Sequence, residues 1–488
     1  MAQYLFYYQR PEPATWVYMS SFLIVGIYFM FHRVWSVRNL DILMLLLLTP
    51  GLMLIYESYR LEAMQELTAA GGLQGANAIA PPAAADGGPR DRTIDASGSR
   101  QTSQWTPRQV RFAGYICLLS LCGLWLMRML SDTTFFRRPL LEPNLTRGGL
   151  IFIGASLFAF LMANIFNGPP APIKSSQLNR GPGYDPLKSL PDIATIANQP
   201  RAINDLVRTA AGGTAAGETP RRPIMKQQGL AAVSRVLLII ANGVLVFGMV
   251  AVGFRHFADL KAGVGAATLY LLLPYAAQMV GRVEHAIPGA LLVLAVLLYR
   301  RPLLAGGVIG LAGGLVFYPL FLMPLWFSFY WQRGQRRFAV GVITSLLSLV
   351  IALGLADGSE FAIELRQMFG TIRFALSDLD GVWGLGIHPY VRVPVVVAFV
   401  ALAFSFAFWP AQKSLATLLH GSAAIMIAAQ FAYAYGGGLL MAWYLPLVLL
   451  TVFRPNLDDL VATQVVRPFR IQRRREPPPQ RSDISPAA

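Results

Sequence analysis

Three ionisable side chains, Arg282, Glu284 and His285, crowd into Gly281-Arg282-Val283-Glu284-His285, the one short break between two long apolar runs. Arginine offers a planar fork of donors that suits phosphate oxygens. Histidine can shuttle a proton or bind a hydroxyl near neutral pH, and a glutamate beside it can act as acid or base. A break this short holds its side chains close to rigid helix ends, where geometry is well controlled. The same residues also fit an ordinary polar loop between two helices.

A second group lies at 357–392 and contains Glu360, Glu364, Arg366, Arg373, Asp378, Asp380, His388 and Arg392. Asp378-Leu379-Asp380 has the acidic spacing that holds a divalent metal against a diphosphate, but the triplet is common by chance and no third ligand accompanies it. Asp378 and Asp380 are therefore only weak metal candidates, and no cofactor is expected. Arg366 and Arg373 stand seven apart, so on a helix they share a face directed at lipid headgroups or at a substrate phosphate. A third set, Asp185, Asp192 and Asp205, falls in 167–230. Asp185 precedes Pro186 and also reads as a turn initiator. Within the apolar runs, Arg235 and His420 are the notable ionisable residues. Arg235 lies near a helix end, where it can snorkel, and His420 suits helix packing. An ion-coupled transporter places acids and bases at the membrane midplane, so this scarcity argues for chemistry at a surface.

The elements that must position these residues are apolar helices. With 55% hydrophobic and 14% charged residues over 488 positions, the chain cannot cover a globular surface with polar groups. An all-α, polytopic transmembrane bundle follows, with about 11 full spans at 15–31, 40–56, 112–130, 149–166, 231–253, 264–280, 286–299, 338–356, 393–409, 415–433 and 439–453. The net charge of +16 sits in short loops and the C-terminal tail, which reads as a topology signal and excludes nucleic acid as the expected partner. Membrane lipid is the partner that composition implies. Cys117 and Cys122 share one apolar run and give no disulfide framework.

Lys and Arg in alternate loops place the N-terminus outside and the C-terminus in the cytoplasm. The alternation holds only if 303–331 begins and ends on one side. A single helix over that stretch would reach ~43 Å at ~1.5 Å per residue, against a hydrocarbon core of ~30 Å. A hairpin of two short helices turning at Phe317-Tyr318-Pro319 satisfies both constraints. One kinked span is the alternative, and it would reverse everything downstream.

Three regions result: a three-span N-terminal extension over 1–148 with an Ala/Gly/Pro-rich, disordered linker at 67–105, a membrane core over 149–453 with outer loops at 167–230 and 357–392, and a basic, disordered tail over 454–488. Within 167–230, the stretch 187–207 mixes apolar and charged residues as short surface helices do.

The run from Leu271 to Arg337 carries a family resemblance. A long outer loop, two spans, a polar break after Leu-Leu-Pro-Tyr, a span ending in Arg-Arg-Pro, then LAGGVIGLAGG and YPLFLMPLW before a basic link, resembles the GT-C superfamily of membrane glycosyltransferases. The resemblance covers 149–337 and points to bacterial mannosyltransferase-like members. It departs where such members commonly read Gly-Gln-x-Asn, since this chain has Gly281-Arg282-Val283-Glu284, and where they often carry a lysine, since this chain has Val316. It implies a polyprenyl-phosphate-linked sugar as donor at the outer face of the bacterial inner membrane. It also implies a catalytic carboxylate from the first outer loop, with Asp185 first and Asp192 and Asp205 behind it. Glu284 and His285 would complete the catalytic group, with Arg282, Arg366 and Arg373 on the donor phosphate. A non-catalytic scaffold and a transporter of neutral solutes remain the alternatives.

Overall fold

The structure, a computed structural model, describes residues 13–69, 105–134, 141–170, 190–193, 224–356, 379, 381–411, 413–434 and 436–455. Among these the regular elements are helices: α1 (Pro13–Tyr28), α2 (Val37–Ala69), α3 (Pro107–Leu130), α4 (Arg147–Phe166), α5 (Ile224–His256), α6 (Leu260–Leu272) and α7 (Pro274–Met279). Then come α8 (Val283–Leu297), α9 (Pro302–Leu315), α10 (Met323–Phe329), α11 (Gln335–Ala356), α12 (Arg392–Phe408), α13 (Leu415–Ala432) and α14 (Leu445–Phe453). Seven of the described helices are long and apolar enough to cross a membrane. The chain is a polytopic, all-helical membrane protein.

The helices differ in how they face their surroundings. The apolar window of α13 is 94% buried, while that of α12 is 22% buried. A helix that is apolar all round must lie in a core or in lipid; α13 is the central post and α12 a lipid-facing wall. The first three helices share this core, because α2 and α3 approach closely at Gly51 and Gly114, and Cys122 of α3 lies 3.6 Å from the Tyr444 hydroxyl.

Four expected full spans are shorter than a bilayer needs. Helix α1 has 16 residues, α6 has 13, α8 has 15 and α14 has 9. At ~1.5 Å per residue, the 13 residues of α6 cover only ~20 Å. The expected span 264–280 breaks because Leu273, with φ −61° and ψ 133°, precedes Pro274, which disfavours helix in the residue before it. The expected span 439–453 starts late, after Gly436 and Gly438 adopt φ of 88° and 95°. Gln430 makes this irregular backbone tolerable in a buried place, since its Oε1 accepts from the amides of Gly438 and Leu440 at 3.1 and 3.3 Å.

The segment after α8 folds back on itself. Helix α9 ends at Leu315, Val316 is extended, and a 3-10 turn at Tyr318–Leu322 leads into α10. A Cβ at Gly306 would collide with the Phe338 carbonyl, one at Gly310 with Ser345, and one at Gly334 would press on Pro302. Positions thus rise together along α9 and α11, which run parallel, and the chain at Gly334 has returned to where α9 began. Small residues permit this close seam, as in other membrane helix pairs.

Two polar ends result. At one, Arg38 donates to the Tyr28 carbonyl, Arg128 pairs with Asp41 and Asp132, and Arg454 reaches Asp132 at 3.7 Å. The ends of α5, α8 and α10 join there, with His256 on the Leu297 carbonyl and the Tyr330 hydroxyl on that of Tyr299. The other end holds the break at Gly281–His285, the Gly168 carbonyl bonded by Arg235, and the turn Met441–Trp443.

Candidate functional site

The break before α8 is built by backbone geometry. Val280 closes α7 and Arg282 is the N-cap of α8, with φ −100° and ψ 120° and no side-chain cap of its own. The first orphan amide of α8, that of Val283, is instead satisfied by Asp192 Oδ1 at 3.1 Å. The adjacent Ile193 amide donates to the Gly281 carbonyl at 2.9 Å, and Ile193 also bridges to Pro170 after α4. A carboxylate from the segment between α4 and α5 is thereby fixed against a helix N-terminus, a position that favours negative charge.

One turn into α8, His285 is buried, 3% exposed, and its Nδ1 lies 2.8 Å from the Tyr275 hydroxyl. That hydroxyl accepts from the Ala442 amide at 2.9 Å. The phenol therefore stands between the Ala442 amide and the His285 ring and fixes the orientation of the imidazole. Arg282 is near enough to act electrostatically on both Tyr275 and His285.

The remaining wall comes from the turn before α14 and from the apex of the hairpin. Trp443 donates its indole N–H to the Glu284 carbonyl at 3.1 Å. Gly289 lets the Ala442 carbonyl approach α8 where any side chain would collide. Tyr318 at the hairpin apex stands edge-on to Tyr433 and tilted against Trp443, with ring centroids 5.3 and 6.2 Å apart.

Arg282, Glu284 and His285 are brought together, and Asp192 joins them from the 167–230 loop. Asp185, Asp205, Glu360, Glu364, Arg366, Arg373, Asp378 and Asp380 lie outside the described residues, as do most of the 67–105 linker and all but two residues of the 454–488 tail. His388 is exposed and stacked on Tyr390, whereas Arg392 donates through Nε and Nη2 to the Ala432 carbonyl and anchors α12 to α13. Arg235 holds Gly168 at 3.0 Å, and His420 is buried within α13. Among the described residues, no group of three His, Cys, Asp or Glu side chains gathers as metal ligands do.

Tyr275, Trp443 and Gln430 were not singled out from sequence. Tyr275 had a usable signal, since a Pro-Tyr pair that interrupts an apolar run puts a phenol at a helix end. Trp443 and Gln430 had none, because their partners are set by the glycine turn. Comparisons with protein-family models, curated proteins and solved structures find no match for this chain.

Proposed function

We propose that this protein is a membrane glycosyltransferase that moves a sugar from a polyprenyl-phosphate donor to an acceptor hydroxyl, with its site at the 281–285 break. The face carrying the break lies outside a bacterial cytoplasmic membrane, because the opposite end carries Arg33, Arg38, Arg255, Lys261, Arg300, Arg301, Arg333, Arg336 and Arg337. The observation that carries the reading is the contact of Asp192 with the first turn of α8, beside Arg282 and His285.

In this reading Asp192 takes the proton of the acceptor hydroxyl as the acceptor oxygen bonds to the anomeric carbon. The bond from that carbon to the donor phosphate breaks, and the phosphate leaves with the electron pair. Arg282 offsets the charge that builds on the leaving phosphate. His285, oriented by Tyr275, hydrogen-bonds the substrate or exchanges a proton with it. The resemblance to GT-C glycosyltransferases supplies the donor class.

The test is incorporation of labelled sugar by the purified protein in lipid, across a panel of polyprenyl-phosphate sugars. Turnover with at least one donor supports the reading. No turnover with any donor contradicts it, and solute uptake by the same vesicles would replace it with transport.

A further inference from the structure

Along the returning arm of the hairpin, from Phe317 and Phe321 near its apex to Arg333 at the charged end, α10 and the end of α12 line a cavity of about 1010 Å³. This is at the upper edge of the ~300–1,000 Å³ usual for small-molecule pockets. Phe317, Phe321, Phe327, Phe404 and Phe408 supply much of its wall. The wall opens toward lipid, for Phe408 is 82% and Trp331 69% exposed on the protein surface.

Its mouth is different in kind, being lined by Gln332, Arg333 and Lys413. Lys413 is only 6% exposed, and its ammonium donates to the carbonyls of Pro410 at 2.8 Å and Ala407 at 3.3 Å. A lysine near a membrane surface ordinarily extends to water. This one is folded back and held beside the apolar wall, and with three donors it keeps one beyond the two carbonyls. Ser328 ties α10 to the same Ala407 carbonyl at 2.6 Å, so the two walls are locked together.

We propose that this cavity is a binding site for one anionic phospholipid, with an acyl chain against the phenylalanines and the headgroup phosphate at Lys413 and Arg333. Charge complementarity selects the occupant: a zwitterionic lipid offers the same phosphate but brings a choline ammonium against the basic mouth, whereas an anionic headgroup brings none. The site is independent of the glycosyltransferase reading.

The test is native mass spectrometry of detergent-purified protein offered equal amounts of phosphatidylglycerol and phosphatidylcholine. The parent retains one phosphatidylglycerol under conditions that strip phosphatidylcholine. Lys413→Gln lowers that preference by about fivefold, the factor matching ~1 kcal/mol per basic residue at an anionic surface. Ala407→Trp, which puts an indole into the cavity, loses the adduct while thermal unfolding stays within a few degrees of the parent. If Lys413→Gln does not fold, Arg333→Gln gives the same reading. Equal retention of the two lipids by the parent, or parent-like adducts in both Ala407→Trp and the cation variant, would overturn the proposal.

Discussion

The two ends of this molecule bury polar groups in opposite ways. At the charged end, Asp41, Arg128, Asp132 and Arg454 come from α2, from the end of α3 and from the residue after α14, and they form a chain of ion pairs. At the end with the break, Asp192 accepts from an amide, Tyr275 stands between an amide and an imidazole, and Trp443 donates to a carbonyl. Ion pairs that neutralise one another lock helices at a fixed register. At the break, single hydrogen bonds to amides, a carbonyl and an imidazole instead fix the direction of each donor and acceptor beside a helix end.

The largest effect that would break this contrast is at the charged end. Arg128→Met takes the cation from the buried Asp41 and one of two from Asp132, and breaking a buried pair in this way costs about 3–5 kcal/mol. Unfolding in mild detergent should show a loss of that order, and a loss under about 1 kcal/mol would mean that the pairs hold nothing.

The hairpin spans both ends, with its base at Pro302 and Gly334 and its apex at Tyr318. Gly310→Leu forces a side chain into Val342 and Ser345, and overpacking of this kind costs about 1–3 kcal/mol. The expected result is a lower unfolding temperature. Unchanged unfolding would mean that α9 and α11 do not meet at this seam. The folding-back also has a topological readout. Cysteines at His388 and Trp331, on opposite ends, should be labelled by an impermeant reagent from opposite sides of the membrane, His388 from outside.

A smaller effect is expected at Tyr275. Tyr275→Phe leaves His285 Nδ1 and the Ala442 amide without their partner, which costs about 1–3 kcal/mol for buried groups. It also frees the His285 ring to turn, so sugar transfer should fall further than stability does. His285→Gln, which keeps a side-chain N–H donor, should retain more transfer than His285→Leu.

Much of the scaffold is legible in the sequence because apolar runs, prolines and basic links are local signals. Tyr318-Pro319 marks the turn of the hairpin, and the length of 303–331 is too great for one span and too small for two. The broken helices were half visible: Pro274 announces the end of α6, but the late start of α14 depends on Gly436 and Gly438 taking positive φ and on Gln430 receiving the amides. The contacts that define the site were not legible. Asp192 meets Val283 across 91 positions, and Asp132 meets Arg454 across 322, so neither pairing leaves a trace in spacing. Among the three aspartates of 167–230, sequence ranked Asp185 first on its short distance from the preceding span. Asp185 and Asp205 lie outside the described residues, while a backbone bridge carries the stretch of Asp192 to the break.

The smallest effect on stability, and the largest on activity, is expected from one substitution. Asn at position 192 can still accept the Val283 amide through its side-chain oxygen, so Asp192→Asn removes the charge and keeps the contact. Labelled-sugar transfer by parent and Asp192→Asn, assayed side by side in the same lipid, tests the central claim most directly. A loss of about 10²–10⁴-fold is expected, the usual contribution of a general base, with unfolding unchanged. Transfer by Asp192→Asn equal to that of the parent would contradict it.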